Sequence, residues 1–428
     1  MSRFREIIKN KNFSLLWFGQ IVSQFGDRLI QMSLIALVYA IAPGSTFQLA
    51  KLLSFTIIPV FLIGPVAGVY VDRWDRRRTM AICDLLKTAL IFSIPFIFIT
   101  KPTLISVYII IFLVFCLSRF YVPAKLSIIP DLVKPKNLLL ANSLANTTGM
   151  VAAAFGFGLG GILVDAWGAK GGFYLASLTF LISATMIFLI GTKIMGHIKK
   201  ERILEVGKEV IEVIKKSVAA EIKEGVVYLV NHKEIRFIIN VLFLLWSALG
   251  AIYVVSIVFV QEVLGTATKD LGLLIMFVGM GLFVGSLVYG RFGLKIPRLK
   301  TIFSCFCFSG IVLTFFVIGV SLFPNFLIAA MLVFIFGAIV APIMTAANTL
   351  IHEVSKDQMR GKVFSSIEII MHFAFLVFML ISSKLADFVG RFWFLVSLGI
   401  IITLIGVVGF LKYGLKDHKI QYDQAQRA

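Results

Sequence analysis

Asp27 stands midway along an apolar stretch, with Arg28 beside it. Asp84 and Lys87 sit three apart in a second stretch, Arg119 lies near the end of a third with Lys125 just beyond it, and Glu368 and His372 sit four apart in another. An ionisable side chain within hydrocarbon is costly, so such residues face a cavity or pair with one another. Neighbours on a helix point about 100° apart, which makes Arg28 a poor partner for Asp27. Asp27 must then look to water or to another helix, and it is the leading candidate for a proton or cation site, because burial favours the protonated form of a carboxylate. Asp84 and Lys87 share a helix face and read either as an ion pair or as part of a polar cavity. Arg119 and Lys125 either meet a substrate or reach the interface on their long side chains. Glu368 and His372 are one turn apart, which stacks a carboxylate and an imidazole facing either a cavity or a packing partner.

These residues have to be positioned by membrane helices. The chain has 428 residues, 59% hydrophobic and only 15% charged, with mean hydropathy +0.97. A soluble protein of this size cannot hide so much apolar surface. A crossing helix needs about 20 apolar residues. Stretches that qualify are 13–40, 46–70, 79–100, 103–122, 139–164 and 171–192, then 237–261, 268–290, 301–322, 326–350, 363–386 and 391–412. The reading is an all-α membrane protein with twelve spans in two pseudo-symmetric six-helix bundles. It comprises an N-terminal half, 1–192, a cytoplasmic linker, 193–236, and a C-terminal half, 237–428.

The net charge of +19 is distributed as a topology signal rather than as a nucleic-acid surface. Arg3, Arg5, Lys9, Lys11, Arg73 to Arg78, Lys134 and Lys136 fall on one side. The linker and Arg291, Lys295, Arg298, Lys300, Lys356, Arg360, Lys362, Lys412, Lys416 and Lys419 fall on the same side. Loops 42–48 and 321–326 carry no charge. The positive-inside rule then puts both termini and the linker in the cytoplasm of a cell (inner) membrane protein. The linker has helical periodicity in Ile203, Val206, Val210, Val213 and Ile214. It reads either as a basic amphipathic helix on anionic headgroups or as a solvated connector. Cys83, Cys116, Cys305 and Cys307 lie in apolar stretches and lack disulfide or zinc spacing.

The two halves share patterns. Span 5 ends Gly161-Ile-Leu-Val-Asp165-Ala-Trp-Gly168, and span 11 ends Ser383-Lys-Leu-Ala-Asp387-Phe-Val-Gly390. Pro123 closes span 4, and Pro342 precedes the basic loop after span 10.

Between spans 2 and 3 runs Gly64-Pro-Val-Ala-Gly68-Val-Tyr-Val-Asp72-Arg73-Trp-Asp75-Arg76-Arg77-Arg78. Gly68 permits close helix approach, and the arginines can bridge to carboxylates or carbonyls of neighbouring helices. The segment resembles the signature loop of the major facilitator superfamily, and the resemblance implies a conformational latch formed by Gly68, Asp72, Arg73, Asp75, Arg76, Arg77 and Arg78. The opening Asn12-Phe-Ser-Leu-Leu-Trp17, with Gly19-Gln20 and Gly26-Asp27, is similar to the macrolide- and siderophore-exporter branch. So are Asp84-Leu-Leu-Lys87, Pro123-Ala-Lys125, Ile129-Pro-Asp131-Leu-Val133, Ala141-Asn-Ser-Leu144 and Glu224-Gly-Val-Val-Tyr228. Span 1 and Pro123-Ala-Lys125 also resemble the lysophospholipid transporters.

One departure stands out. Proton-driven antiporters of the superfamily carry a Gly-Pro pair in span 5. Here Phe157 stands in the Pro position, within Gly156-Phe-Gly158-Leu-Gly160-Gly161. The glycines of that run, Gly156, Gly158, Gly160 and Gly161, still permit tight helix packing. The second-half counterpart of the signature loop, Gly290-Arg291-Phe-Gly293, is degenerate.

No Walker-type phosphate loop, Ser-His-Asp set or metal-ligand cluster is legible, so the expectation is a non-enzymatic protein without metal or cofactor. The resemblance implies a monomeric secondary transporter that works by alternating access and exports an amphipathic or hydrophobic small molecule against proton entry. Its partners are that molecule, the proton and the bilayer, with no nucleic acid. A lysophospholipid transporter, in which Lys125 and Arg119 meet the phosphate, and a non-transporting membrane sensor or assembly factor are the alternatives.

Overall fold

The computed structural model describes residues 2–64, 67, 70–71, 74–100, 104–191, 233–293, 296–354 and 360–414. The described chain is helical throughout. A backbone in hydrocarbon must satisfy its own hydrogen bonds, and a helix does so within one segment. A short amphipathic helix, α1 (Ser2–Lys9), precedes α2 (Lys11–Ile41), α3 (Thr46–Leu62), α4 (Arg76–Thr100), α5 (Leu104–Leu132) and α6 (Leu138–Phe188). After the linker come α7 (Lys233–Leu264), α8 (Lys269–Phe292), α9 (Arg298–Leu322), α10 (Phe326–Val354), α11 (Arg360–Val389) and α12 (Arg391–Gly409).

Ten of these runs are long and apolar enough to cross a membrane. The run that contains α6 spans 54 residues, about 80 Å at 1.5 Å per residue, which is more than twice a bilayer core. It is broken at Gly168, whose φ of 70° no continuing helix adopts, and so crosses twice. The shorter apolar α3 completes twelve crossings, six in each half.

Two compact units result. In the first, α2 packs along α6, and α4 packs against α5 and α6. In the second, the principal pairs are α8 with α10, α9 with α12, α7 with α11 and α9 with α10. Residues 42–50 group with the second unit although the chain on either side belongs to the first. Lipid-facing stripes are apolar, as at Ile105, Ile109 and Leu113 on α5, spaced one turn apart and all exposed.

The internal repeat is visible in the backbone. Positive φ occurs at Gly44, Gly168, Gly265 and Gly390. These are the turns after crossings 1 and 5 of the first half and 7 and 11 of the second, which are the equivalent places in each half. Only glycine takes this conformation without strain, which explains why Asp165 and Asp387 are each followed three residues later by Gly.

Three boundaries differ from the sequence reading. Helix α5 does not close at Pro123 but continues through Pro123 and Pro130 to Leu132. Helix α10 likewise carries Pro342 inside it and runs to Val354. Membrane helices tolerate an internal Pro because neighbours re-satisfy the freed backbone groups. Arg119 is therefore an interior residue of α5 rather than one near its end. Helix α7 already includes Lys233, inside the predicted linker, the rest of which lies outside the described residues.

Candidate functional site

The first unit encloses a polar cluster supplied by four helices. Asp84 and Lys87, three apart on α4, are both fully buried, at 0% and 1% exposed. Asp84 is well satisfied. The Ser23 hydroxyl on α2 donates to its Oδ1 at 3.2 Å, and the Ser183 hydroxyl on α6 donates to its Oδ2 at 2.6 Å. The Lys87 ammonium lies 3.8 Å from the same Oδ1. It also lies 3.7 Å from Oδ1 of Asp27 on α2. The rings of Tyr121 on α5 and Phe180 on α6 flank the ammonium at 5.3 and 4.9 Å, so the cation is held by carboxylates and π-faces together.

Asp27 differs from Asp84. Its side chain is 26% exposed, and among the described residues its buried Oδ1 accepts no hydrogen bond. Lys125, one turn beyond Tyr121 on α5, is within electrostatic reach of Asp27. The structure thus joins Asp27 to the Asp84–Lys87 pair and brings Lys125 toward the same carboxylate. Ser23, Tyr121 and Ser183 escaped the sequence reading. The one signal available was the spacing of Ser23 and Asp27, four apart and hence on one face of α2.

Arg28 points elsewhere. Its guanidinium donates to Gln31 at 3.0 Å and lies 4.9 Å over the Phe157 ring. Phe157, where the antiporter proline would stand, therefore serves as a π-platform for this arginine. Gly156 makes room for the stem, since a Cβ there would meet Arg28 Cγ at 2.9 Å. Gly160 is less constrained, with Leu29 at an ordinary 3.6 Å from the same hypothetical atom. Gly158 and Gly161 are buried in the same stretch of α6. Arg119 is half-buried on α5.

Glu368 and His372, on α11 in the second unit, do not stack carboxylate on imidazole. His372 Nδ1 bonds instead to the main-chain carbonyl of Glu368 at 2.8 Å, and the ring lies 5.8 Å from Trp246 on α7, tilted by 31°. The Glu368 side chain is exposed. The reason is local: a carbonyl one turn back is the nearest acceptor for a side chain on a helix.

In the basic loop, Gly68, Asp72 and Arg73 lie outside the described residues. Asp75 accepts the Arg78 N–H at 3.0 Å and caps α4, while its other oxygen faces Arg78 Nε at 3.3 Å. Arg76 reaches α5, donating to Asp131 at 2.6 Å and to the Ser127 carbonyl at 2.9 Å. Arg77 reaches the end of α6, where it donates to the Phe188 carbonyl and sits 5.3 Å over that ring. The arginines therefore tie the start of α4 to two neighbouring helices.

The sequence profile of the Major Facilitator Superfamily matches residues 16–375. The chain belongs to the major facilitator superfamily. It is a multi-pass membrane transporter and not an enzyme. Macrolide efflux protein A of Streptococcus pyogenes is 24% identical over 403 residues, 92% of this chain and 94% of that protein. The putative bacilysin exporter BacE of Bacillus subtilis is 26% identical over 377 residues, 83% and 84% of the two chains. The uncharacterized transporter YfmI of Bacillus subtilis is 24% identical over 424 residues, 95% and 98%. Among solved structures, a bacterial homologue of the iron transporter ferroportin in an inward-facing state superposes with TM-score 0.71 at 13% identity, covering 93% of this chain and 98% of that one.

Membership in the major facilitator superfamily gives the basic loop its context. In the segment 64–78, which resembles the superfamily's signature loop, Arg76 and Arg77 contact other helices of the first unit.

Proposed function

We propose that this transporter is a proton-driven exporter of an amphipathic or hydrophobic small molecule, and that Asp27 carries the proton. Two relatives that bear functional names are an efflux protein and a putative exporter, which supports the direction. The observation that carries the coupling is the sharing of one cation: Lys87 faces Asp27 and Asp84 at nearly equal distance. Two ionised carboxylates need two cations: Lys87 is one and Lys125, within electrostatic reach of Asp27, the other, so withdrawing either lysine leaves a buried imbalance that one proton removes. Asp84 already has two hydroxyl donors and no exposure, whereas Asp27 has a partly exposed side chain and an oxygen lacking a donor. On this difference we assign the coupling proton to Asp27.

Lys125 supplies the second cation for Asp27. When a substrate or a helix movement draws either lysine away, Asp27 loses its counter-charge and takes up a proton; when the cation returns, the proton leaves. The halves rock around the site, each exposing it in turn. The arginine contacts of the signature loop hold one arrangement of the first unit and release it in the other. The protein works in the cell (inner) membrane as a monomer with both termini in the cytoplasm.

The test is a substrate screen in proteoliposomes with and without a pH gradient. Uphill movement that appears only with the gradient supports the reading. Movement of a lysophospholipid without any gradient overturns it.

A further inference from the structure

Arg28 carries a charge that the proton reading leaves unmatched. It stands 17 residues after Lys11 and 13 before Ile41, the two ends of α2, which is about 25 and 20 Å at 1.5 Å per residue. A side chain that deep cannot snorkel to either interface, so its charge has to be met inside the membrane. The carboxylates nearby are engaged elsewhere: Asp27 and Asp84 face Lys87, and Lys125 is within reach of Asp27. The described partners of Arg28 are neutral. Its Nη1 donates to the Gln31 side-chain carbonyl at 3.0 Å, and the guanidinium lies 4.9 Å over the Phe157 ring. A π-face attracts a cation but holds no net charge. Nε is buried, and among the described residues it has no acceptor. An unmet N–H and an unmet charge on one group are each costly in a dry site.

The unmet edge has a definite chemistry. With Nη1 taken, Nε–H and Nη2 remain, the pair of parallel donors that grips two oxygens of a carboxylate or a phosphate. The side chain as a whole is partly exposed. Helix α6 makes room for it and for its neighbour. Gly156 clears the Arg28 stem, and Gly149, two turns earlier, clears Gln24, whose amide would come within 3.2 Å of a Cβ there. Gln24, Arg28 and Gln31 follow at spacings of four and three and so form one polar stripe of α2. We propose that Arg28, positioned by Gln31 and Phe157, is an oxyanion subsite for the transported molecule, and that the exported amphipath therefore carries a carboxylate or a phosphate group. The proposal rests on the export reading above and is independent of the proton assignment, because Asp27 faces Lys87 and points about 100° away around the helix.

The test uses the purified full-length protein in nanodiscs, without any gradient, and reads its thermal unfolding temperature against probes of one shape: 4-phenylbutyrate, 4-phenylbutyl phosphate, 4-phenylbutylamine and 4-phenylbutanol. At about pH 7.5 the first two are anions and the amine is a cation. A molecule that binds the folded state raises the unfolding temperature. The anions should stabilise the native protein, and the amine and the alcohol should not. The larger of the two anionic shifts names the oxyanion, carboxylate or phosphate. Arg28→Gln should weaken anion binding by roughly tenfold to a hundredfold, the scale of hydrogen bonds to a charged group. It should also raise the unfolding temperature of the empty protein, because it removes an unmatched charge. Gln31→Glu is the sharper variant. A carboxylate there pairs with Arg28 from within, so the empty protein should gain stability and the response to anions should vanish with Arg28 still in place. An Arg28→Gln chain that is less stable than the native one, or that fails to fold, makes Arg28 a structural group and overturns the proposal. So does an absent anion response, one matched by the amine, or one that survives Gln31→Glu. Binding is read here without transport. Uphill movement that needs no gradient removes the proton reading and leaves this subsite standing, whereas anion-blind binding in a chain that still exports removes the subsite alone.

Discussion

The ammonium of Lys87 on α4 lies 3.7 Å from the carboxylate of Asp27 on α2, and it does so at 1% exposure. A lysine that deep persists only where its charge is met. Removing one member of a buried pair leaves an uncompensated charge and costs about 3–5 kcal/mol. Lys87→Met should therefore lower the thermal unfolding temperature sharply. Adding Asp84→Asn should recover most of the loss, because Asp84 is the carboxylate with no access to water. Adding Asp27→Asn should recover less. Equal rescue by the two amides would show that the carboxylates share one environment.

The contact between Arg76 and Asp131 is half-exposed, at 35% and 37%, so its coupling should be modest, on the order of 0.5–1 kcal/mol in a double-mutant cycle. Its expected consequence is kinetic. Arg76→Ala and Asp131→Ala should each slow transport in protein that remains folded in the membrane, and the double variant should be no slower than the worse single one. Asp72→Asn should do the same. Unchanged rates in all of them would leave the loop as a topology signal alone.

Glu6 on α1 gives a pH dependence. It pairs with Lys136 at 3.2 Å and with Lys134 at 3.6 Å. The bond to Lys136 first, then Asn137, holds its carboxyl below the ordinary value of 4.5. A depressed carboxylate stabilises the fold above its unfolded value, and that contribution disappears as pH falls through the lower folded value. Amide exchange within α1 should accelerate at pH below about 4 relative to its intrinsic rate. In Glu6→Gln the protection should already be lost at neutral pH. Acid-independent protection in the native chain would contradict the assignment.

Orientation follows from the lysines and arginines. Single cysteines placed in loops 42–47 and 322–326 should react with an impermeant thiol reagent from outside intact cells. Cysteines in the 193–236 linker should react only after permeabilisation. Labelling of the linker from outside would reverse the topology.

Hydropathy made the spans legible, because every backbone in hydrocarbon must close its own hydrogen bonds and every outer face must be apolar. The pair Asp84–Lys87 was legible too, since a spacing of three puts both on one face. The link from Lys87 to Asp27 was not, because it depends on which face of α2 turns toward α4, and an apolar helix shows no preferred side in its sequence. Pro123 read as a stop because in water it would be one. The partners of Arg76 and Arg77 were foreseen as a kind, carboxylates and carbonyls, but not as Asp131 and Phe188.

The most direct test of the central claim is made with Asp27→Asn in proteoliposomes, reading substrate flux together with internal pH. The amide keeps the shape and loses only the titration. Uphill, gradient-driven transport should disappear and substrate-linked proton movement should fall to background, while exchange of substrate across a membrane without a gradient persists. Asp27→Glu should keep part of the uphill activity at a shifted pH optimum. If Asp27→Asn still accumulates substrate against its gradient with protons moving alongside, Asp27 is not the proton carrier. If it loses exchange and binding at every pH, the residue serves the substrate or the fold instead.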